Sequence, residues 1–429
     1  MQTDKTWPRL KYHPVQYEAW TSSKRFSYLP CGRQSGKTEL ALRRLVRYLP
    51  VKKDYPTTYF YSGPTYAQAK RTAWQRLINL IPKEWISSIS HSELTIKTVF
   101  GSTLFLFGLD KPQRIEGLTR VDGGVIDENS DIKPGTFDLS VLPTLTWSNG
   151  WIWFIGVPKR YGVGAVEYRE RCEKAAAGEL ADSALFHWPS SEIISPEALE
   201  YARSAMDERD FAEQFGAKWL DAGGGVFHSF STEFNVRPCV YDVNLPIIVG
   251  MDFNVDPMCW IIGHLKGETF EVFDELFIRN TNTPDTLHKL IEKYGTHKGG
   301  FQIYGDASSR ARKTSAYESD YVQIASNETL KKLGRTMHFD TSNPPIADRF
   351  ASTNARICNG SGQRNVFVDP KCKHLINDLR VRTYKPGTRE PDDSGDVGHM
   401  TDALGYFLHK RFELTLKLPS SNTVGIIYS

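Results

Sequence analysis

The feature that most restricts the fold of this chain is residues 31–38, with the sequence Cys-Gly-Arg-Gln-Ser-Gly-Lys-Thr. An apolar segment at residues 26–29 precedes it, and residues 39–47 carry apolar side chains at helical spacing without glycine or proline. A strand, a glycine-bearing turn and a helix that opens with Gly-Lys-Thr are the setting of a phosphate-binding loop. Such loops join a buried strand to a helix that packs on the sheet, and further strands and helices alternate downstream. The sequence therefore predicts an α/β fold with a mostly parallel sheet for the first half of the chain.

In a loop of this kind, backbone N–H groups and the helix N-terminus face the phosphates of a nucleotide. We expect Lys37 to reach the β- and γ-phosphates of ATP and the Thr38 hydroxyl to hold Mg2+. The loop departs from the usual pattern because Cys31 stands where the first glycine belongs and Gly32 follows it. We expect the turn to form with the glycine displaced by one residue. The predicted nucleotide-binding residues of the loop are Gly32, Arg33, Gln34, Ser35, Gly36, Lys37 and Thr38.

A second nucleotide-site element is predicted at residues 123–128, where a short apolar strand ends in two adjacent acids. Asp127 is expected to bind Mg2+ through water, and Glu128 to orient and deprotonate the attacking water. An apolar run followed by Asp-Glu is by itself more often a strand that meets a solvated turn. Its position after the phosphate-binding loop, with strands between the two, instead favours ATP hydrolysis.

Gln16 lies in a short helical pattern just before the first strand. In many ATP-driven nucleic-acid motors a glutamine at this point contacts the adenine edge, so Gln16 is a candidate nucleotide-binding residue. The alternative is an exposed glutamine on a helix, and the sequence does not decide between them. Arg114 and Arg120 are candidates for an arginine finger that stabilises charge on the γ-phosphate, although each is better explained as a solvent-facing loop residue when taken singly. Arg33, inside the loop itself, is a competing candidate.

The apolar strand at residues 151–155 runs into Gly-Val-Pro at residues 156–158. A turn at this place in ATPases couples the nucleotide state to motion, but a plain strand-to-loop junction explains the same residues. Helices are predicted over the alanine-rich residues 175–181 and over residues 196–215. Three consecutive glycines at 223–225 mark a domain boundary. The predicted domains are residues 1–220, a linker at 221–230, and residues 231–429.

Three acids in the second half suggest a metal-dependent nuclease. Asp252 lies near the end of an apolar strand, Asp306 ends a later strand, and Asp402 lies on a helix that begins at His399. Carboxylates in this order, after a β-meander, match ribonuclease H-like nucleases, in which two divalent ions activate water and stabilise the leaving oxygen. Oxygen ligands favour Mg2+ or Mn2+ over zinc.

Each of these acids is unremarkable when taken alone, because aspartate is common where a strand meets a turn. Asp252, Asp306 and Asp402 are nevertheless the predicted catalytic and metal-binding residues of the second half, and Glu128 is the predicted catalytic carboxylate of the first. Asp256 is a weaker candidate ligand. His399 is expected either to orient a water or a phosphate or to cap its helix.

Composition adds limits on class and location. The chain has 429 residues, 40% of them apolar, with a net charge of only +3, so an anionic partner must be met by local basic patches. Six cysteines lack metal-ligand spacing, which favours a reducing compartment. The charged opening does not have the pattern of a signal peptide, and no apolar run approaches membrane-spanning length. We expect a soluble intracellular protein without a membrane partner.

Taken together, the two halves resemble the large terminase subunit of tailed bacteriophages over nearly the whole chain. The resemblance is carried by the displaced phosphate-binding loop, the Asp-Glu pair, the Gly-Val-Pro turn, the glycine boundary and the three later acids. Val157 departs from the family pattern, which usually has a small or hydroxyl residue there. The resemblance implies a P-loop ATPase domain followed by a ribonuclease H-like nuclease domain.

A terminase would use ATP and Mg2+ to package double-stranded DNA into a preformed capsid and would cut the concatemer with Mg2+ or Mn2+ in the nuclease site. The implied partners are double-stranded DNA, the portal protein and the small terminase subunit, with several copies forming a ring on the portal. The implied location is the host cell cytoplasm, transiently on the procapsid and not in the mature virion. Residues 382–399, rich in Gly, Pro and Asp, are predicted to form a loop over the nuclease site that contributes to its control.

Two alternatives remain open from sequence. A helicase–nuclease would need a second motor lobe, and the chain after Pro158 shows no second pattern of that kind. A nucleotide-dependent DNA-binding or scaffolding protein would use the three later acids only as structural residues.

Overall fold

The computed structural model describes residues 13–118, 120–221, 224–254, 256–311, 318–385, 388, 390–393 and 395–412. The described chain divides into two compact units. Unit 1 contains residues 13–199 and 212–221, and unit 2 contains residues 200–211 and 224–412. Residues 222 and 223 of the predicted linker lie outside the described residues.

Unit 1 is built on an eight-stranded sheet with the order β3-β4-β5-β2-β6-β7-β1-β8. Five neighbouring pairs, from β5 to β8, are parallel, and the pairs β3–β4 and β4–β5 at one edge are antiparallel. The strands are β1 Phe26–Pro30, β2 Thr58–Gly63, β3 Ile86–Ser90, β4 Thr95–Thr98, β5 Thr103–Gly108, β6 Gly123–Ile126, β7 Trp151–Gly156 and β8 Ser183–Leu185.

Both faces of this sheet are covered. In β7, Trp151, Trp153 and Ile155 pack into the core on one face, whereas Ile152 and Phe154 pack into the core on the other. This double burial explains why β7 has a continuous apolar sequence with no polar alternation.

The helices that precede β9 are α1 Pro14–Thr21, α2 Lys37–Tyr48, α3 Tyr66–Ala69, α4 Gln75–Leu80, α5 Gln113–Glu116, α6 Leu142–Leu145, α7 Ala165–Ala176, α8 Pro196–Ala205, α9 Glu208–Gln214 and α10 Thr232–Asn235. Two π-helical segments, Lys70–Trp74 and Phe137–Val141, precede α4 and α6 directly. Short 3-10 turns lie at Lys83–Trp85, Asn129–Asp131, Ser190–Glu192 and Ala307–Arg310.

Unit 2 has a six-stranded sheet with the order β13-β12-β9-β10-β11-β14, in which β10 is antiparallel to both of its neighbours. The strands are β9 Ile247–Asp252, β10 Met258–Lys266, β11 Thr269–Ile278, β12 Phe301–Gly305, β13 Arg335–Phe339 and β14 Val366–Val368. The helices are α11 Thr283–Tyr294, α12 Asp320–Ser326, α13 Glu328–Leu333, α14 Ile346–Ile357, α15 Lys373–Val381 and α16 His399–Arg411. Helix α16 packs on β9, and apolar residues fill both faces of the sheet.

The predicted α/β fold and the mostly parallel sheet of the first half are confirmed. The helix predicted at 175–181 is wrong in its bounds, because α7 ends at Ala176 and Gly178 adopts a positive φ of 73° that a right-handed helix cannot continue. The segment predicted as helical at 196–215 forms two helices, α8 and α9. No helix among the described residues is long and apolar enough to cross a membrane.

Candidate nucleotide and metal sites

The phosphate-binding loop and the Asp-Glu pair lie at the same edge of the sheet of unit 1. Strand β7 separates β1 from β6, and all three are parallel, so the loops at their carboxyl ends are neighbours. The Cys31 N–H donates to the Gly156 carbonyl oxygen at 2.9 Å, which joins the start of the loop to the end of β7.

The loop geometry explains why cysteine stands at position 31. Gln34 and Gly36 are its residues with positive φ, at 57° and 79°, so Cys31 needs no glycine-like backbone. A Cβ atom at Gly32, in contrast, would lie 2.3 Å from Ser190 Oγ and 2.7 Å from the Phe215 carbonyl oxygen. The close approach of Ser190 and Phe215 therefore requires glycine at position 32. This steric requirement explains why the glycine of the loop is displaced by one residue from its usual position.

Two side chains support the middle of the loop. The Ser35 carbonyl oxygen accepts hydrogen bonds from Gln16 Nε2 at 3.2 Å and from Trp188 Nε1 at 2.8 Å. Gln16 is 6% exposed, so it is not the solvent-facing helical residue of the alternative interpretation. Its predicted contact with adenine stays a prediction.

Lys37 and Thr38 open helix α2 beside the acids of β6. Lys37 is 6% exposed, and its Nζ donates to the Gly32 carbonyl oxygen at 3.2 Å. Thr38 Oγ1 lies 3.5 Å from Asp127 Oδ2, which also accepts a hydrogen bond from the Tyr61 hydroxyl. Burial, and then the charge of Glu128, raise the pKa of Asp127. A hydroxyl and a buried carboxylate side by side are the ligand types that Mg2+ prefers.

Glu128 follows Asp127 in the left-handed region of backbone space, with φ 51°. Its carboxylate lies 3.2 Å from Lys159 Nζ, and the same ammonium lies 2.6 Å from Asp131 Oδ2. Burial alone would raise the pKa of Glu128, but the charges of Lys159 and Lys37 outweigh it and lower that pKa. The carboxylate is thus held ionised, as a group that orients and deprotonates water must be.

An open cavity of about 240 Å³ lies beside the acids of β6. Its walls include Arg33 from the loop, Arg71 from the first π-helical segment, and Asp127, Glu128 and Lys159. Three cationic side chains and the buried Asp127 carboxylate on one cavity, next to the phosphate-binding loop, fit a nucleotide with its Mg2+ ion.

Of the three candidate finger arginines, Arg33 lines this cavity. The Arg120 guanidinium instead stacks over Trp147, 3.1 Å from the ring centroid, and Arg114 lies over Tyr66 at 5.3 Å. Arg71, Tyr61 and Lys159 are site residues that sequence reasoning missed. Lys159 had a usable signal, because it follows the Gly-Val-Pro turn directly, whereas Tyr61 resembles any other apolar residue of a buried strand.

In unit 2, the strand register brings two of the predicted acids together. Gly305 of β12 pairs with Met251 of the parallel strand β9, so Asp306 and Asp252 follow at the same edge. Both are buried, at 7% and 8% exposure. Asp306 Oδ2 accepts a hydrogen bond from the Ser308 hydroxyl, while Asp306 Oδ1 is buried without a hydrogen-bond partner among the described residues.

Helix α16 approaches the same edge because Gly250 lets it pack closely on β9. A Cβ atom at Gly250 would lie 2.3 Å from the Ala403 carbonyl oxygen. The first residue of the helix, His399, places Nδ1 3.0 Å from Asp252 Oδ2. Asn254 Nδ2 lies 2.9 Å from that oxygen and 2.7 Å from His399 Nδ1.

Asp402 is one turn further along α16, and its surroundings differ. Arg382 donates to both carboxylate oxygens of Asp402, at 2.9 and 3.4 Å, and Arg349 Nη1 lies 3.2 Å from Oδ1. Burial raises the pKa of Asp252, and the negative charges of Asp402 and Asp306 raise it further, so the three acids share one electrostatic neighbourhood. Asp256, the weaker candidate, is exposed and ion-paired with Arg279 at 3.4 Å.

The carboxylate oxygens at this edge of the sheet decide whether a divalent ion fits there. Among the described residues, no group of three or more His, Cys, Asp and Glu side chains has the geometry of a metal site. The unpartnered Oδ1 of the buried Asp306, beside the buried Asp252, is nevertheless the kind of oxygen that Mg2+ or Mn2+ binds. The two acids therefore fit a hard divalent cation.

Comparisons with known proteins identify the fold. The large terminase of a thermophilic bacteriophage matches 93% of this chain and 98% of its own length, with a TM-score of 0.58 and 13% identity. The same terminase in complex with ATP-gamma-S matches 93% of this chain and 99% of its own length, with a TM-score of 0.56 and 14% identity, and its ADP complex matches with a TM-score of 0.55 and 14% identity. No family model matches the chain. No curated protein matches it either. The chain therefore has the two-domain fold of large terminases.

Proposed function

We propose that this chain is the large terminase subunit of a tailed bacteriophage. It hydrolyses ATP in unit 1 to move double-stranded DNA into a procapsid, and it cuts concatemeric DNA with divalent ions in unit 2. The observation that carries the proposal is the presence in one chain of two separate sites at sheet edges, within the fold of a terminase. One site suits a nucleotide and the other suits hard divalent cations.

In unit 1, Lys37 and the loop N–H groups bind the β- and γ-phosphates, and Thr38 and Asp127 hold Mg2+. When bound, Mg2+ would offset the negative charge that develops on the phosphates during transfer. Glu128 takes a proton from the attacking water, while the Lys159 ammonium keeps its carboxylate ionised and in position. Gln16 contacts the adenine from the helix that supports the loop.

In unit 2, Asp252 and Asp306 would hold the divalent ions, which would supply an activated water and stabilise the leaving oxygen of a phosphodiester. Neither acid forms an ion pair with a lysine or arginine among the described residues, although Asp252 lies 3.0 Å from His399 Nδ1. The proposal places Asp402 in the same site.

The proposal also includes the partners and the location of a packaging motor. These are the portal protein, the small terminase subunit and further copies of this chain in a ring on the portal, in the host cell cytoplasm. They follow from the proposed role, which the likeness in fold to large terminases supports.

The test separates the two activities in one chain. We would assay ATP hydrolysis and Mn2+-dependent plasmid cleavage in the wild type and in the Glu128→Gln and Asp252→Asn variants. Glu128→Gln is expected to reduce ATPase turnover by about 10²–10⁴-fold and to leave cleavage intact, because it removes the proton acceptor alone. Asp252→Asn is expected to do the reverse.

Cleavage that survives Asp252→Asn would remove the nuclease half of the proposal. A wild-type protein that binds nucleotide and DNA without hydrolysing either would instead support the scaffolding alternative.

A further inference from the structure

One wall of the nucleotide cavity in unit 1 comes from the segment that follows strand β2. Gln68 and Arg71 of this segment line the cavity together with Asp127, Glu128 and Lys159. This wall is supplied neither by the phosphate-binding loop nor by the strand that ends in the Asp-Glu pair. Its side chains therefore add chemistry to the site that the two motifs do not contain.

Strand β2 is fixed to Asp127 by a side chain and by the backbone. The Tyr61 hydroxyl donates to Asp127 Oδ2, and the Asp127 N–H donates to the Ser62 carbonyl oxygen at 2.8 Å. Just after β2, Thr65 caps the next helix, because its hydroxyl oxygen accepts the Gln68 N–H at 3.2 Å. These contacts set the position of the helix relative to the acid that the proposed function assigns to Mg2+.

The helix is irregular where Arg71 lies. A π-helical turn, Lys70–Trp74, directly follows the α-helical turn Tyr66–Ala69. Ala69 packs on the end of β2, since a Cβ atom at Gly63 would lie 3.4 Å from the Ala69 N atom. The wide turn begins one residue after this contact, and its Arg71 lines the cavity. Insertions that produce a π-helical turn are frequent at functional sites.

The charged groups on the cavity differ in whether they have ion-pair partners. Glu128 and Asp131 share the ammonium of Lys159, at 3.2 and 2.6 Å. Among the described residues, however, the guanidinium groups of Arg33 and Arg71 form no ion pair. Arginine binds a carboxylate or a phosphate through two parallel N–H···O bonds. Two guanidinium groups without an acidic partner on one cavity therefore favour a bound anion with several oxygens.

The γ-phosphate is the anion that this cavity would hold. Glu128, which the proposed function assigns to the attacking water, lies on the cavity, and that water attacks the γ-phosphate. The equatorial oxygens of the transferred group carry the charge of the transition state, and an arginine that contacts them stabilises it. Lys159 is already held by Glu128 and Asp131, whereas Arg71 is held by no carboxylate among the described residues.

We propose that Arg71 contacts the γ-phosphate of ATP and is a catalytic residue of the ATPase site, supplied by the same chain from the π-helical turn after β2. The inference rests on the proposed ATPase function and adds to it an arginine that lies outside both sequence motifs. Because ADP lacks the γ-phosphate, this contact also makes the site selective for the nucleoside triphosphate.

The test measures nucleotide binding and hydrolysis by the full-length protein. Arg71→Ala is expected to weaken ATP-gamma-S binding at least about 10-fold and to leave ADP affinity within about 2-fold of the wild type, because only the triphosphate has the group that Arg71 contacts. ATPase turnover is expected to fall by about 10³-fold, as on removal of an arginine finger. Lys70→Ala is the matched control and should behave as the wild type, because it removes the same charge one residue away, at an exposed position outside the cavity wall.

Equal losses of ATP-gamma-S and ADP affinity in Arg71→Ala, or unchanged turnover, would overturn the inference while the wild type still hydrolyses ATP. Turnover that falls only in the presence of DNA, with unchanged ATP-gamma-S affinity, would also overturn it, because Arg71 would then bind DNA phosphates. If the alanine variant does not fold, Arg71→Lys carries the test, since it keeps the charge without the planar fork and should still lose turnover. A wild-type protein that neither binds ATP-gamma-S nor hydrolyses ATP would instead overturn the proposed function itself.

Discussion

At the scale of single residues, the phosphate-binding loop depends on which position lacks space for a side chain. Cys31 is fully buried with its Sγ 3.6 Å from the Phe186 carbonyl oxygen, and its backbone is ordinary. Gly32 meets Ser190 and Phe215 so closely that no Cβ fits. The usual motif therefore places glycine at position 31, whereas the steric requirement for glycine falls one residue later, at position 32.

This difference predicts opposite outcomes for two substitutions. Gly32→Ala should destabilise unit 1 by about 1–3 kcal/mol, because its Cβ would collide with backbone atoms that cannot rotate away. The displaced loop should also lower ATPase turnover by about 100-fold, the effect of misplacing reacting groups by about 1 Å. ATPase assays and denaturant unfolding measure the two effects.

Cys31→Gly is the matched variant, since it installs the glycine of the usual motif. It should cost about 2 kcal/mol of stability, from the lost buried thiol and the freer unfolded backbone, and it should retain ATPase activity. Loss of turnover in Cys31→Gly with normal turnover in Gly32→Ala would contradict the steric explanation.

Lys159 leads to a prediction about pH. Its ammonium, 3.2 Å from the Glu128 carboxylate, contributes to the lowered pKa of that acid. Lys159→Met removes the charge, so the pKa of Glu128 should rise and the acid limb of the ATPase pH profile should move to higher pH. Activity should then be lost earlier as the pH falls. Lys159→Arg keeps the charge and should keep the profile, and an unchanged acid limb in Lys159→Met would argue against the ion pair as the cause.

Site residues that belong to a recognisable motif were predictable from sequence, whereas residues whose role depends on tertiary contacts were not. Lys37, Thr38, Asp127 and Asp252 follow from motifs, and the structure brings them to two sheet edges. The Arg382 cluster around Asp402 could not be foreseen, because it joins side chains from three helical regions that are distant in sequence.

At the scale of elements, the position of α16 on β9 decides whether the predicted nuclease residues meet. The contact depends on Gly250, where a side chain would push against the Ala403 carbonyl oxygen of the helix. Helix α16 carries both His399 and Asp402, so a shift of this one helix moves both relative to Asp252. The strand and the helix were predictable from sequence. A glycine inside a strand, however, does not indicate which element packs against it.

Gly250→Val should therefore reduce DNA cleavage by about 100-fold or more through displacement of α16, with overpacking that costs about 1–3 kcal/mol. ATP hydrolysis, which we assign to unit 1, should be unaffected. Gly405→Ala is the control on the same helix, because its Cβ would make ordinary contacts of 3.7 Å with Arg349 and Thr353 and alanine favours a helix. Cleavage that persists in Gly250→Val would show that the helix does not need this close approach.

One irregular element was not predictable from the local sequence pattern. Residues 66–80 contain the π-helical segment Lys70–Trp74 between two α-helical turns, and Arg71 from this segment lines the nucleotide cavity. Apolar spacing predicts a helix there but cannot predict an extra residue within one turn. Insertions of this kind often occur at functional sites, in agreement with the position of Arg71.

At the scale of the whole molecule, the chain does not divide at one point. Residues 200–211 group with unit 2 although residues 212–221 return to unit 1. The glycine run at 223–225 marked a change in composition, but the assignment of residues 200–211 depends on tertiary contacts. Asp207 pairs with Asn359 in a β-bridge, and the Gly360 N–H donates to the Met206 carbonyl oxygen at 2.7 Å.

Asp207 should make the stability of the protein sensitive to acid. Its side chain is buried and accepts hydrogen bonds from His228 Nε2 at 2.9 Å and from the N–H groups of Arg209 and Asp210. Burial opposes ionisation, but these donors outweigh it and lower the pKa of Asp207 to about 2. Because this pKa lies below that of the unfolded chain, the contribution to stability is complete above about pH 4 and is lost as the pH falls through about 2.

The size of that contribution is about 2 kcal/mol, and Asp207→Asn should remove it. Urea unfolding of both proteins between pH 2 and 7 measures how much their unfolding free energies differ. Other buried carboxyls, such as Asp252 and Asp378, have raised pKa values that act in the opposite direction. Their effect is the same in both proteins and therefore cancels in the difference. The difference should be largest at neutral pH and should shrink below pH 4. A difference that is constant over this range would mean that Asp207 stabilises residues 200–211 by its shape alone, and that its charge contributes nothing to holding them in unit 2.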